Sequence, residues 1–339
     1  MKYLIVNSGS TAVKYSVYSS GILKKKEIFS RKGTGFSYTE KKFIESVDAD
    51  FTIFRVVHAK DKTQTRFIDN ETYLDIKNAK IFAPLHNGIL LELLDFFRIH
   101  HDDNKLIAVF DSDFHSQLPS KAFNYPLPKD LTQKYNLRKY GFHGLAFESA
   151  LEKLREKNGK IEKNIIAVHA GGGVSVCAIK NGISQDTSMG LTPTDGVMML
   201  TRSGSLDPEL TRVLEEKENL LPSEVSRILN FESGFYGMTG SKDTKEIIEK
   251  AKQGKEPFKS AYELFLYEMK KKIFAYFGVL GSVNLVLLSG GLAYNNEYFA
   301  DDLYDELIGL GLTKDKFVKV EVDEEGLMLK KAREIIDKI

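Results

Sequence analysis

One sentence of structure is written twice in this chain, and it restricts the folds open to it more than any other feature. Residues 2–7 are mostly apolar, Ser8-Gly9-Ser10 turns, and residues 13–17 alternate. Much later, residues 164–168 are apolar, residues 170–173 form a small-residue turn, residues 174–179 alternate, and Lys180-Asn181-Gly182 closes a hairpin. A third small-residue turn ends the apolar run 284–291. Two copies of strand, turn and strand predict an α/β protein of two duplicated domains with a cleft between them. Between the copies, apolar spacing predicts helices over 86–97 and 146–157 and a strand over 105–110. After the second copy it predicts helices over 207–216, 222–230, 244–253, 256–280, 297–309 and 325–338. A hinge is expected near 140–146. The first domain then covers 1–145 and takes back about 325–339, and the second covers 146–324. Neither a low-complexity stretch nor a disordered tail is expected.

Composition excludes several classes of function. The 48 Lys+Arg nearly cancel the 47 Asp+Glu, leaving a formal charge of +1, without the basic excess of a dedicated nucleic-acid binder. A single cysteine, Cys177, allows no internal disulfide and no cysteine-rich metal site, and suits a reducing cytosol. The first residues do not read as a signal peptide, and apolar runs such as 274–280 fall short of a membrane span. The expectation is a folded cytoplasmic protein with neither nucleic acid nor membrane as partner.

Several residues could carry chemistry. Asn7-Ser8-Gly9-Ser10-Thr11 followed by Lys14 is a small polar turn after a buried-type strand, where exposed N–H groups and a lysine suit phosphate oxygens; a plain hairpin turn is the alternative. The Walker pattern is absent. Of seven histidines, His58, His86, His115, His143 and His169 stand at strand-like or turn segments, while His100 and His101 do not. Strand ends line ligand sites in α/β proteins, and no histidine pair has the H-E-x-x-H spacing of a zinc site. Asp111 follows the run 106–110, where a carboxylate can orient a nucleophile, take a proton, reach a metal through water, or simply cap a turn. Arg55 stands in an apolar stretch where burial demands an anion, and Arg202 in a loop of small residues.

The ordered set LIVNSGSTAVKYSV, RVVH, APLHN, AVFDSDFH, KYGFHG, VHAGGGVSVCAIKNG, DTSMGLTPTDGVMMLTRSGSLDP, SGFYGMTGSKD, LLSGGLAYNN and VDEEGLMLKKA resembles acetate kinase and its relatives, the short-chain acyl kinases. It reaches from residue 2 to about 332. The resemblance implies duplicated ribonuclease-H-like domains of the actin-like ATPase type, an acyl-kinase domain followed by a nucleotide-binding domain. It implies reversible, Mg²⁺-dependent phosphoryl transfer from ATP to acetate, with Mn²⁺ as a substitute metal, and a homodimer; from the sequence itself, an amphipathic helix over 256–280 could supply an interface. Carried over by motif, Asn7 and Glu324 would position the metal, with Ser10 and Lys14 near the phosphates. Arg55 would anchor the carboxylate, and Val57, Leu85, Phe142 and Pro193 would enclose the methyl group. Asp111 would be the catalytic carboxylate, while His143 and Arg202 would stabilise the transferring phosphoryl group. His86 and His169 would line the same cleft. The nucleotide would lie against His169, Gly171, Gly172 and Gly173, against Asp243, Thr244 and Lys245, and against Gly291, Leu292, Ala293, Tyr294 and Asn295.

The departures from the family pattern gather on the nucleotide side. Gly172 stands where the family has Asn, Lys245 where it has Arg, and Ala293-Tyr294 where it has Gly-Glu. Elsewhere Ala12 replaces a serine, and His58-Ala59-Lys60 replaces His-Gly-Gly. An active acetate kinase is expected first. A pyrophosphate- or other-nucleotide-dependent enzyme, a propionate-preferring enzyme and a weakly catalytic ligand-binding relative are the alternatives.

Overall fold

The computed structural model describes residues 1–9, 12–30, 35–100 and 105–338, with the side chain of Leu85 left out. The chain divides into two compact units, Met1–Ser116 with Asp323–Ile339, and Gln117–Val322. The sequence places the boundary near residue 145; in the structure residues 117–145 group with the second unit. Long-range bonds explain the difference: Tyr140 N–H donates to the Gly190 carbonyl at 3.0 Å, and Lys139 pairs with Asp186 at 2.6 Å. Asp323 and Glu324 likewise belong to the first unit, not the second.

In the first unit, β1 (Lys2–Ser8), β2 (Ala12–Ser19), β3 (Ile22–Ser30), β4 (Phe51–Val56), β5 (Arg66–Phe67) and β6 (Leu106–Phe110) form one sheet in the order β3-β2-β1-β4-β6-β5. β1, β2 and β3 pair antiparallel, whereas β1–β4 and β4–β6 are parallel. Strand alternation divides the residues between two faces. Leu4, Val6, Tyr15, Phe54 and Phe110 turn to an apolar core shared with residues of helices Tyr38–Glu45 and Pro84–His100. The other face of β1, β4 and β6 is covered by helix Glu324–Ile336, which buries Leu327, Met328, Leu329, Ala332 and Ile336. That face also carries Asn7 and Arg55.

In the second unit, β7 (Asn164–Ala170), β8 (Val174–Lys180), β9 (Ile183–Thr187), β10 (Leu285–Ser289) and β11 (Phe317–Lys319) run β11-β10-β7-β8-β9. Read from the β9 edge, the sheet is third, second, first, fourth and fifth strand, as in β3-β2-β1-β4-β6. The pairing senses match as well: β7, β8 and β9 are antiparallel, and β7–β10 and β10–β11 parallel. Helix Phe258–Leu280 packs on β8, burying Ala261, Phe265, Met269, Ile273, Tyr276 and Leu280 at helical spacing. The fold is therefore α/β, with a ribonuclease-H-like sheet built twice, as in the actin-like ATPases.

Candidate functional site

The two sheets place their candidate residues at equivalent positions. In the first, Asn7 near the end of the central strand β1 lies directly across from Lys14 on β2, and the register of β1 with β4 sets Arg55 beside it. In the second, His169 on β7 lies across from Ser175 on β8 and beside Ser289 on β10. Each turn between the paired hairpin strands closes with a 2.9 Å backbone bond, Gly9 N–H to Ala12 O in one and Gly171 N–H to Gly173 O in the other.

The first cluster is charged and, at Asn7, Arg55, Asp111 and Glu325, buried. Arg55 donates from Nη2 to Asp111 Oδ2 at 2.9 Å and from Nη1 to Asn7 Oδ1 at 3.2 Å, and its Nη1 lies 3.6 Å from Glu324 Oε2. Asp111 is 1% exposed, and its own N–H is held by the Val56 carbonyl at 2.9 Å. Burial alone would lower the Arg55 pKa, but the charges of Asp111 and Glu324 outweigh it and raise the pKa above its ordinary value. Arg55 Nε is buried without a hydrogen-bond partner among the described residues, an unsatisfied donor of the kind that calls for an explanation in native structures. Asn7 Nδ2 donates to Glu324 Oε2 at 3.1 Å and to Glu325 Oε1 at 2.9 Å. Lys26 on β3 pairs with Glu325 at 3.3 Å. Burial works to raise the Glu325 carboxyl, yet the Asn7 bond and the charges of Lys26 and Lys14 bring it below its ordinary 4.5.

The second cluster is built around a glycine. A Cβ on Gly173 would stand 3.1 Å from His143 Cε1 and 3.3 Å from Arg202 Nη1, tight contacts that would push both side chains back from the turn by a few tenths of an ångström. His143 holds a left-handed backbone, φ 59°, at the start of helix Gly144–Asn158, a conformation costly for a residue with a side chain. Its ring lies 4.7 Å, centroid to centroid, from that of His169, whose Nδ1 is 3.1 Å from Ser289 Oγ. Arg202 is buried and donates to the Pro193 carbonyl at 3.1 Å. The structure thus joins His143, His169, Gly173, Arg202 and Pro193 within one unit.

The other expected residues are less closely tied. Val57 is buried just beyond β4, and Phe142 is buried next to His143. His86 is buried in helix Pro84–His100. Ser10 and the Leu85 side chain lie outside the described residues. Asp243 caps helix Thr244–Lys252 by accepting from Lys245 N–H at 2.9 Å. The Lys245 side chain is 80% exposed and lies 3.8 Å from Glu249. Gly291–Asn295 is a short helical turn after β10, with Leu292 and Ala293 buried and Tyr294 exposed. Gly172 has open space where a Cβ would stand. Sequence reasoning missed Glu325, Lys26 and Ser289; the pairing of Lys26 with Ser16 sets it on the Asn7 face, which strand alternation alone does not give because the register shifts between Val17 and Tyr18.

Among the described residues, no group of three His, Cys, Asp or Glu is placed to hold a metal ion. The Asn7 carbonyl and the Glu324 carboxylate are hard oxygen donors, and Mg²⁺ commonly keeps waters and substrate phosphates beside one or two such ligands. Asn7 and Glu324 carry donors of that kind, with the Asn7 carbonyl turned to Arg55 and its Nδ2 to Glu324. Among the described residues, no helix is long and apolar enough to cross a membrane.

A family model described as the Acetokinase family matches residues 36–336. The acetate kinase of Helicobacter acinonychis is 36% identical over 302 residues, which cover 88% of this chain and 74% of that protein. Among solved structures, Porphyromonas gingivalis acetate kinase has a TM-score of 0.82 at 27% identity, covering 99% of both chains. A propionate kinase from Francisella tularensis has a TM-score of 0.85 at 26% identity, covering 98% of this chain and 99% of that one. With the matched stretch spanning most of its length, the chain belongs to the acetokinase family.

Proposed function

We infer that this chain is a reversible phosphotransferase that moves the γ-phosphoryl group of ATP to acetate, giving acetyl phosphate and ADP. The observation that carries this reading is the buried Asn7, Arg55 and Asp111 with the half-buried Glu324 beside them, in a chain of this family. Acetate is ionised at neutral pH, so its oxygen attacks phosphorus without a base. One P–O bond forms as the bond to the ADP oxygen breaks. What the protein supplies is positioning and charge neutralisation.

In the first unit, Arg55 would anchor the substrate carboxylate and hold Asp111, the catalytic carboxylate, in place. Asn7 and Glu324 would hold Mg²⁺, which when bound neutralises phosphate charge, and Val57 would face the methyl group. In the second unit, His143 and Arg202, both set against Gly173, would donate to phosphoryl oxygens as charge builds on them. The turn from His169 to Gly173 and the residues Gly291–Asn295 would take the nucleotide. A homodimer working in the cytoplasm belongs to the same reading.

The test is acetyl phosphate with Mg²⁺, offering ADP, GDP and inorganic phosphate as separate acceptors, and the reverse reaction with acetate or propionate. ATP formed from ADP, with acetate preferred in reverse, is the expected result. No product from any acceptor contradicts the reading. A second reading, a donor other than ATP, is favoured by the missing side chain at Gly172 and the exposure of Lys245. Product from phosphate alone selects pyrophosphate.

A further inference from the structure

The side-chain amide of Asn7 has one orientation open to it. Its Nδ2 faces two carboxylate oxygens, Glu325 Oε1 at 2.9 Å and Glu324 Oε2 at 3.1 Å, and its Oδ1 faces Arg55 Nη1 at 3.2 Å. Ionised carboxylates only accept hydrogen bonds and a guanidinium only donates. A flip of the amide would set its oxygen against both glutamates and its NH₂ against the arginine, losing all three bonds.

The two glutamates do different things. Glu324 lies within 3.6 Å of Arg55, on the side of the buried ion pair. Glu325 makes the shorter bond to Asn7, and its second oxygen turns the other way, to Lys26 at 3.3 Å. Glu325 is itself 6% exposed. Local sequence fixes its place. Asp323 caps the helix by accepting from Gly326 N–H at 2.9 Å, and a Cβ at Gly326 would collide with that carboxylate. Strand phase fixes Lys26: it pairs with Ser16, Ser16 pairs with Ile5, and Ile5 shares a face with Asn7 two residues on. A line of polar contacts therefore runs from the edge strand through Lys26, Glu325, Asn7 and Arg55 to Asp111.

We propose that Glu325, braced by Lys26, is a positioning residue that locks the Asn7 amide with its oxygen toward Arg55. It deepens the proposed function and rests on it for the consequence: Asn7 is one of the two residues that would hold the metal. Nothing in the reading of the family motifs gives Glu325 or Lys26 a task.

The test compares Glu325→Leu, Glu325→Gln and Lys26→Met with the wild-type chain. Gln keeps an oxygen for Asn7 Nδ2 but turns an NH₂ toward Lys26, whereas Leu removes the acceptor. The direct readout is solvent exchange of the Asn7 side-chain NH₂ in protein labelled with ¹⁵N asparagine and assigned through Asn7→Asp. Expected is exchange at least tenfold faster in Glu325→Leu, about threefold faster in Lys26→Met, which loses only the brace, and within about threefold of wild type in Glu325→Gln. The functional readout is the Mn²⁺ concentration for half activation, raised at least tenfold in Glu325→Leu with the acetate KM within twofold of wild type. Restoration of most of that loss in Glu325→Gln supports a positioning role. Unchanged Asn7 exchange in a folded Glu325→Leu chain overturns the proposal. So does a Gln variant as impaired as Leu in both readouts. Faster exchange in Glu325→Leu, in a protein whose wild type transfers no phosphoryl group, upholds the positioning and rejects the proposed function instead.

Discussion

The ends of the two central strands occupy equivalent places in two sheets of the same topology and hold opposite chemistry. Around Asn7 the neighbouring strands present the exposed Lys14 and the buried Arg55, and a buried Asp111 and half-buried Glu324 complete the charged set. Around His169 the same two positions are Ser175 and Ser289, and the following turn is three glycines. Topology has fixed where a site can be, and side chains decide what it handles. A dense charged cluster suits a carboxylate and a metal. A glycine turn flanked by a histidine and an arginine suits phosphate oxygens.

The largest expected effect separates Arg55 from Ser289, its counterpart. Arg55→Ala strips a buried carboxylate of its partner and should cost about 3–5 kcal/mol of stability. Ser289→Ala removes neutral hydrogen bonds to His169 Nδ1 and the Val168 carbonyl and should cost about 1–2 kcal/mol. Urea unfolding of both variants measures the contrast; equal losses would break the comparison. Next comes Arg202→Ala, which should lower turnover by about 10²–10³-fold, as loss of one transition-state donor does, with the unfolding midpoint little changed. Wild-type turnover would remove Arg202 from the chemistry.

A smaller effect sharpens the second site. Gly172→Asn restores the family's side chain at a point where nothing lies within 4 Å of the new Cβ. It should lower the ATP KM roughly two- to tenfold, the worth of about one hydrogen bond. A higher ATP KM would mean that the turn is occupied in another way.

The smallest effect concerns Cys177, buried in β8. Burial pushes its thiol from 9.0 up to about 12. A raised pKa contributes stability that is whole below pH 9 and is lost as pH climbs toward 12. Native protein at pH 8 should therefore resist alkylation, while urea-unfolded protein should react. Rapid labelling of the native chain would contradict the burial.

Much of this was legible in the sequence because strands written twice predict a fold written twice. Asn7, Arg55, Asp111, His143 and His169 stood out as polar residues interrupting or ending apolar runs, where burial has to be explained. Glu325 did not. It sits one residue from Glu324 on a helix, and only the helix's rotation against β1 brings both glutamates to the Asn7 amide. Lys26 was hidden in an exposed run of lysines, because β3 is an edge strand whose pairing phase depends on a register shift between Val17 and Tyr18. The boundary after Ser116 was hidden too, since it follows from pairs such as Lys139–Asp186 that are distant in sequence. Helix ends moved by a few residues: the helix expected over 297–309 stops at Glu306, and a separate tight turn, Ile308–Leu310, follows.

The most direct test of a division of labour between the two strand ends is a paired measurement of acetate and ATP KM in Arg55→Lys and Gly172→Asn. The account predicts that Arg55→Lys, which keeps the charge but loses the planar fork, raises the acetate KM and leaves the ATP KM near wild type. It predicts that Gly172→Asn moves the ATP KM alone. If either variant shifts both constants together, or if each shifts the other's substrate, the division is wrong.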